Sequence, residues 1–321
     1  MEELWVRTGG RLHLGQLDLN GSLGRFYGGL GIAINQPELE VTARRSKSLS
    51  LVCEHSEEER LKSIACEYLK YYGLPGVEIE LVQSLPSHSG LGSGTSLTLA
   101  IGFAITRVYG LQPSIAELAV VTDREGSRSG IGVAAFEQGG FLVDGGKSVD
   151  SHPEDHRLQV PPLLFRIPFP EDWAIILASP NNERMFGKKE EKAFQSLLPM
   201  DREVSGAICR LVLMKLLPAL VEKNLESFGQ AIEAIQGHIG SYFAPVQGGP
   251  FASAEACRIV EYLRVHGAAG VGQSSWGPTI YGFTRKETQS DLLERTQNYV
   301  ENRACVCATS GRNHGASWGW Q

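Results

Sequence analysis

The chain has 321 residues, 42% hydrophobic and 21% charged: enough apolar material for two packed cores, and not the balance of a disordered or fibrous protein. The net charge of −6 argues against a general nucleic-acid or membrane-surface binder, while leaving room for local basic clefts. Cys53, Cys66, Cys209, Cys257, Cys305 and Cys307 have neither zinc-ribbon spacing nor disulfide-scaffold density, so reduced thiols in a cytoplasm are expected.

The N-terminal MEELWVRTGG carries acidic residues and no long apolar core, and is not expected to be a signal peptide. Leu4 to Leu14 reads as a strand, followed by a long glycine-rich loop over 15–31. Gly31 to Ile34 and Leu39 to Ala43 read as strands around a Gln36-Pro37 break. Glu57 to Tyr72 places Leu61, Ile64, Ala65, Tyr68 and Leu69 on one side of a helix. Val77 to Gln83 is a strand, Thr95 to Tyr109 and Ser114 to Asp123 are helices, and Gly139 to Val143 is a strand running into Asp144. The most apolar run, Leu97 to Thr106, is too short to cross a bilayer and stops at Arg107.

Pro153, Pro161, Pro162, Pro168 and Pro170 crowd the stretch 151–170, which predicts a boundary between domains at 1–160 and 161–321. Beyond it come a strand at Trp173 to Ala178 and helices at 201–223, 225–240 and 252–266, with Pro218 kinking or ending the first. A strand at Thr279 to Phe283, a helix at Lys286 to Asn302 and a strand at Ala304 to Ala308 complete an α+β pattern.

The segment PSHSGLGSGTSLTLA (86–100) lies between the strand at 77–83 and the helix that follows. Gly90, Gly92 and Gly94 let the backbone approach a ligand at positive φ. Ser89, Ser93, Thr95 and Ser96 add hydroxyls, and the N–H groups at the helix start favour anions. A glycine turn that merely begins a helix is the competing reading, and no Gly-Lys-Ser/Thr follows as in a P-loop.

Three segments together carry a family resemblance. The Pro86-to-Thr95 spelling resembles the phosphate motif of the GHMP kinase superfamily. GRLHLG (10–15) with Asp18 resembles its N-terminal substrate motif, and GVGQSSWGPT (270–279) stands where its C-terminal glycine loop belongs. The resemblance covers nearly the whole chain. It implies a GHMP-kinase-like two-domain fold, with a ribosomal-protein-S5-domain-2-like N-terminal domain, a ferredoxin-like C-terminal domain and the site between them. Several superfamily kinases place an aspartate in a Ser-Gly-Ile-Asp-like turn; here the turn is Ser129-Gly130-Ile131-Gly132.

That departure, with GRLHLGQLDLNGSLGRFYGGLGIAI, RSGIGVAAFEQGGFLVDGG and GVGQSSWGPT, resembles the β-ribofuranosylaminobenzene 5′-phosphate synthase branch. The resemblance implies a decarboxylating phosphoribosyltransferase acting early in tetrahydromethanopterin biosynthesis. Such an enzyme joins phosphoribosyl pyrophosphate to 4-aminobenzoate or 4-hydroxybenzoate, releasing CO2 and pyrophosphate. Mg2+ is the expected cofactor and a cytoplasmic homodimer the expected form, with small molecules rather than nucleic acid or membrane as partners. An ATP-dependent small-molecule kinase and a non-catalytic metabolite binder of the same fold are the alternatives.

Arg11, His13 and Asp18 are the candidate catalytic residues. Arg11 and His13 share one strand face, and an Arg fork suits a phosphate or a carboxylate. Asp18 suits Mg2+ or ribose hydroxyls, and equally a turn cap. Ser89, Gly90, Leu91, Gly92, Ser93, Gly94, Thr95 and Ser96 are expected to hold phosphate. Arg25, Gly28, Gly29, Gln273, Ser274, Ser275 and Trp276 are expected at the substrate, Trp276 by stacking on the aromatic acceptor. Ser96 and Asp123 are the candidate metal ligands, with Glu125 beside the latter. Cys305 and Cys307 read as small core residues, and His152 and His156 as linker residues without a catalytic part.

Overall fold

The computed structural model describes residues 2–122, 129–149, 160–181 and 196–321. Strands β1 (Leu4–Asp18) and β2 (Arg25–Arg45) form a long antiparallel hairpin. Then come β3 (Ser50–Val52), α1 (His55–Tyr72), β4 (Val77–Gln83), α2 (Ser93–Val108), α3 (Ile115–Val121) and α4 (Ile131–Glu137). Strands β5 (Phe141–Asp144), β6 (Lys147–Ser148) and β7 (Leu163–Ile167) follow, and all belong with the first sheet.

Strand β8 (Trp173–Pro180) opens the second layer. After it come α5 (Arg202–Leu211), a π-helical turn at Val212–Leu216, α6 (Leu217–Val221), α7 (Leu225–Gln247) and α8 (Ala254–Val265). Strands β9 (Ala269–Gln273) and β10 (Ile280–Arg285), helix α9 (Lys286–Val300), β11 (Ala304–Thr309) and β12 (Ser317–Trp320) finish the chain. The second sheet is antiparallel in the order β11-β8-β10-β9, the 4-1-3-2 order of a ferredoxin-like unit. The helix read over 201–223 passes Pro218 through the π turn, which re-routes the backbone bonds that a proline without an N–H cannot complete.

Two of the expected elements need correction. The stretch 15–31 is not a long loop: Gln16 pairs with Gly29 and Asp18 with Tyr27, so only a short turn interrupts the hairpin. Its glycines serve close packing, since a Cβ on Gly31 would collide with Ile131 of α4. The boundary at 160 is crossed by two strands, because β7 pairs with β5 and β12 returns to pair with β1. The prolines around β7 sit outside its paired residues, where a missing N–H costs no ladder bond.

One hydrophobic cluster joins the two sheets. Leu12, Leu14, Ile32 and Phe141 from the first meet Trp173, Phe228, Tyr281 and Phe283 from the second half. The opposite face of the first sheet packs on α1 and α2 through Leu61, Tyr68, Leu97 and Ile101. There a Cβ on Gly102 would collide with the Tyr68 ring, whose hydroxyl donates to the Leu118 carbonyl at 2.8 Å. Gly102→Ala is therefore expected to cost about 1–3 kcal/mol by overpacking. The urea midpoint should fall with an unchanged slope; an unchanged midpoint would show that α1 and α2 separate freely.

Candidate active site

The loop between β4 and α2 is shaped by three residues at positive φ: His88 (53°), Gly90 (80°) and Gly92 (80°). They alternate with Ser89 and Leu91, an arrangement that turns successive N–H groups toward one concavity. The loop carbonyls are held by the protein instead. The Gly90 oxygen accepts from Arg11 Nη1 at 2.6 Å and from Ser274 Oγ at 2.7 Å, and the Leu91 oxygen accepts from the Arg11 N–H at 2.9 Å. Among the described residues the N–H groups of 90–95 have no acceptor, nor do the hydroxyls of Ser93, Thr95 and Ser96 a partner. Ser89 differs, since its hydroxyl donates to the Pro86 carbonyl at 2.7 Å. Free donors outward and bound carbonyls inward make an anion cradle at the α2 N-terminus.

Arg11 forms one wall. A Cβ on Gly92 would lie 3.0 Å from Arg11 Cγ and 3.3 Å from Cζ, so glycine lets the arginine side chain lie against the loop. Register shifts in the β1–β2 ladder flank Arg11–His13, and such irregularities re-aim side chains beside a site. The glycine loop after β9 closes the other side. Ser274, with no exposed surface, accepts from the His13 N–H at 3.0 Å; the Ser275 N–H donates to the His13 carbonyl at 3.0 Å. Gln273 is a brace: its Oε1 accepts from the Ala252 N–H at 2.7 Å and its Nε2 donates to the Ser275 carbonyl at 3.2 Å.

Beside the Ser274–Ser275 loop a cleft opens, lined by His13, Gln16, Ile239, Phe243, Gln247 and Trp276. The Phe243 and Trp276 rings lie 4.7 Å apart at 58°. His13 is 5% exposed, and its ring nitrogens have no protein partner among the described residues. Burial, reinforced by the Arg11 guanidinium, pushes its imidazole from the ordinary 6.5 down to about 3, so the ring is neutral at physiological pH. Anion cradle, arginine and aromatic cleft thus follow one another along one groove.

The GHMP kinases N terminal domain model matches residues 59–140, and the GHMP kinases C terminal model residues 216–302. The chain is 37% identical to a beta-ribofuranosylphenol 5'-phosphate synthase of Archaeoglobus fulgidus, covering 97% of this chain and 98% of that protein. It is 36% identical to the synthase of the same name from Methanocaldococcus jannaschii, covering 92% and 95%. The crystal structure of homoserine kinase from Cytophaga hutchinsonii superposes with a TM-score of 0.70 at 18% identity, covering 99% and 97%; this shows the shared fold. The chain belongs to the beta-ribofuranosylphenol 5'-phosphate synthase family. It is a family of enzymes built on the GHMP kinase fold.

In this synthase family member the other expected site residues occupy varied places. Asp18 Oδ1 accepts from the N–H groups of Asn20 (2.6 Å) and Gly21 (3.1 Å), which makes the carboxylate a turn cap. Arg25 is exposed and donates to the carbonyls of Gly145 (2.6 Å) and Gly146 (2.7 Å), tying β2 to the β5–β6 turn. Gly28 and Gly29 are buried packing positions: a Cβ on Gly29 would collide with Ser129. Gly132 faces the cradle helix, where a Cβ would lie 3.0 Å from Thr95 Cγ2. Ser96 is buried in the first turns of α2. Asp123 and Glu125 lie outside the described residues, as do His152 and His156. Among the described residues no three His, Cys, Asp or Glu side chains gather as a metal site. Cys305 is exposed, while Cys307, two residues further along the same face of edge strand β11, packs on the core.

Gln16, Ile239, Phe243 and Gln247 are additions from the structure. The last three recur every fourth residue on α7, a readable stripe whose partner across the cleft no local pattern names. Asp144 is a buried hub: its carboxylate accepts from Ser129 Oγ, the Gly130 N–H and the Gly146 N–H at 2.8–3.0 Å, which fixes the start of α4.

Ser274→Ala would strip the buried His13 N–H of its acceptor and the Gly90 carbonyl of one donor. A loss of about 1–3 kcal/mol in unfolding free energy is expected. Unchanged stability would show that water replaces the hydroxyl. The lowered His13 pKa sets a second expectation. Above pH 6.5 both folded and unfolded chains hold it neutral; as pH falls from 6.5 toward 3, only the unfolded chain takes the proton, and stability is lost. His13→Asn should flatten that acid loss in urea titrations at stepped pH, whereas equal slopes would mean that folded His13 protonates freely.

Proposed function

We propose that the chain transfers the 5-phosphoribosyl group of phosphoribosyl pyrophosphate to the carboxylate-bearing ring carbon of 4-hydroxybenzoate or 4-aminobenzoate, releasing CO2 and pyrophosphate as an early step of tetrahydromethanopterin biosynthesis. The observation that carries this reading is the adjacency of the anion cradle and the cleft, joined through Ser274, which bonds both the Gly90 carbonyl and His13, with Arg11 against the cradle. The relatives' names, which specify a ribofuranosylphenol 5'-phosphate, support the hydroxy acid as acceptor.

The cradle suits the departing diphosphate, whose growing charge meets N–H dipoles already in place. Arg11 suits a fixed anion of the sugar phosphate, held remotely while the reacting bonds change. The aromatic ring attacks C1 of the ribose with electron donation from its para substituent, and loss of CO2 restores aromaticity. A β product from an α donor requires inversion, so ring and diphosphate lie on opposite faces and positioning supplies much of the rate. Mg2+ fits as a partner of the diphosphate oxygens with Ser96 as a hydroxyl ligand, and bound there it would neutralise leaving-group charge.

The kinase reading is the weaker one. A side chain at position 132 would press on Thr95, so this turn is built for contact with the cradle helix rather than for a catalytic carboxylate. Six free thiols support a reducing cytoplasm, and the exposed Leu213, Met214 and Val221 along one helical segment support a homodimer.

The test is incubation with Mg2+, phosphoribosyl pyrophosphate and each acid, counting CO2 and pyrophosphate, with ATP plus sugar and amino-alcohol acceptors as control. Equal release of CO2 and pyrophosphate is expected, without ATP consumption. Gly92→Val, which forces a β-branched residue to φ 80° against Arg11, should leave a folded protein without turnover. Robust phosphorylation by ATP would overturn the reading, and normal turnover by folded Gly92→Val would move the diphosphate elsewhere.

A further inference from the structure

The geometry points to His13 as the group that takes a proton from the para-hydroxyl of the aromatic acceptor during attack and returns it after decarboxylation. This rests on the reading just given and deepens it, by assigning the residue that selects a hydroxy acid.

Position comes first. Arg11 and His13 point from the same face of β1, two residues apart, and two strand residues span about 6.6–6.8 Å. That is comparable with the span of the acceptor from its carboxylate to its para substituent, so an acceptor lying along the strand with its carboxylate end toward the cradle brings its para substituent to His13. The Phe243 and Trp276 rings line the same cleft and supply apolar faces for it. The imidazole is held from behind: its backbone N–H is bound by Ser274 Oγ and its carbonyl by the Ser275 N–H. The residue is 5% exposed and its ring nitrogens have no protein partner among the described residues, which leaves them for a ligand.

The surroundings set the protonation state. Among the described residues, the residues of α7 and of the 273–276 loop that line the cleft carry no titratable group, and the charge acting on His13 is the Arg11 guanidinium. Burial and that charge keep the free imidazole neutral, the form that accepts a proton. A bound carboxylate and diphosphate bring negative charge into the groove and oppose the effect of the Arg11 charge, which favours the protonated ring while substrates are in place.

The step balances. As the ring carbon forms its bond to C1 of the ribose, the C1–oxygen bond breaks and its electron pair leaves with pyrophosphate. The phenolic proton moves to His13, leaving a neutral dienone whose tetrahedral carbon carries the ribosyl group and the carboxylate. The carbon–carboxylate bond then breaks, CO2 departs, and its electron pair restores the aromatic ring with negative charge on the phenolic oxygen. That oxygen recovers the proton from His13. No oxidant, reductant or net proton is needed. An amino acceptor differs: its nitrogen lone pair drives attack to an iminium without giving up a proton, so it makes no demand on His13.

His13→Asn and His13→Phe, assayed with phosphoribosyl pyrophosphate and each acid, separate the two acceptors. With 4-hydroxybenzoate kcat should fall about 100-fold, the scale of a lost general base. With 4-aminobenzoate it should fall less than about fivefold. The residual hydroxybenzoate rate should climb as pH approaches the phenol's own pKa, because the ionised acceptor needs no base. Equal losses with both acids in a folded variant, or no pH recovery, would reduce His13 to packing and overturn the assignment. A second measurement needs no variant: in the wild-type protein a solvent deuterium effect on kcat is expected with the hydroxy acid and not with the amino acid, and the same effect with both would sink the idea. If the wild-type protein releases CO2 from neither acid, the synthase reading fails first and takes this assignment with it.

Discussion

The hydroxyl of Ser274 is the contact on which the site's geometry depends. It accepts from the N–H of His13, 261 residues away, and donates to the carbonyl of Gly90, 184 residues away. Three segments that carry the sequence motifs therefore meet at one buried oxygen with no exposed surface. Donor and acceptor roles are both used, so the group is satisfied and its removal unbalances two partners at once. Arg11 adds a second hold on the same carbonyl. Because the cradle's oxygen atoms are committed inward, its N–H groups have no choice but to face the groove. Local loop chemistry and the joining of the two sheets are thus one event.

That arrangement explains how a kinase fold accommodates another reaction. The cradle recognises an anion through backbone dipoles and is indifferent to what the anion is attached to. What changes is the wall around it. Gly132 permits α4 to approach Thr95 closely, while Asp144 pins the start of α4 through Ser129 and Gly130. The glycine at 132 therefore has a packing purpose that the loss of a carboxylate alone would not reveal. On the opposite wall Phe243 and Trp276 supply rings among the polar side chains of Gln16 and Gln247.

Much of the fold was legible because its signals are local. Strand 77–83 and the helix face of Leu61, Ile64, Ala65, Tyr68 and Leu69 follow directly from periodicity, and both stand as read. The glycine-rich stretch 15–31 was misread as loop because strand pairing there is decided by tertiary contact: Gly29 and Gly31 are small to admit Ser129 and Ile131. The stretch around residue 160 carries more pairing than its composition suggests. Prolines at 161, 162, 168 and 170 look like a linker, yet they bracket a short strand that joins the first sheet. In the site, Arg11, His13 and the 89–96 loop were readable from motif and alternation. Asp18 and Arg25 were named from the same motif, but their partners are turn N–H groups and carbonyls that only the folded chain supplies. Phe243 was invisible, since a helix stripe does not say which distant strand it will face.

The electrostatics of the groove follow from the same economy. Among the described residues, those contacting the cradle or lining the cleft carry one fixed cation, Arg11, and no carboxylate. The other donors are neutral amides and hydroxyls, and His13 is held neutral by burial. A groove filled with fixed cations would hold any polyanion tightly. Backbone dipoles would stabilise charge developing on the leaving group of the proposed reaction without storing a large excess of positive charge in the resting site. The absence of carboxylates from the groove's described lining spares the incoming anions like-charge repulsion. A chain with a net charge of −6 thus carries a locally neutral-to-positive groove, made by where its backbone points rather than by how many lysines and arginines it has.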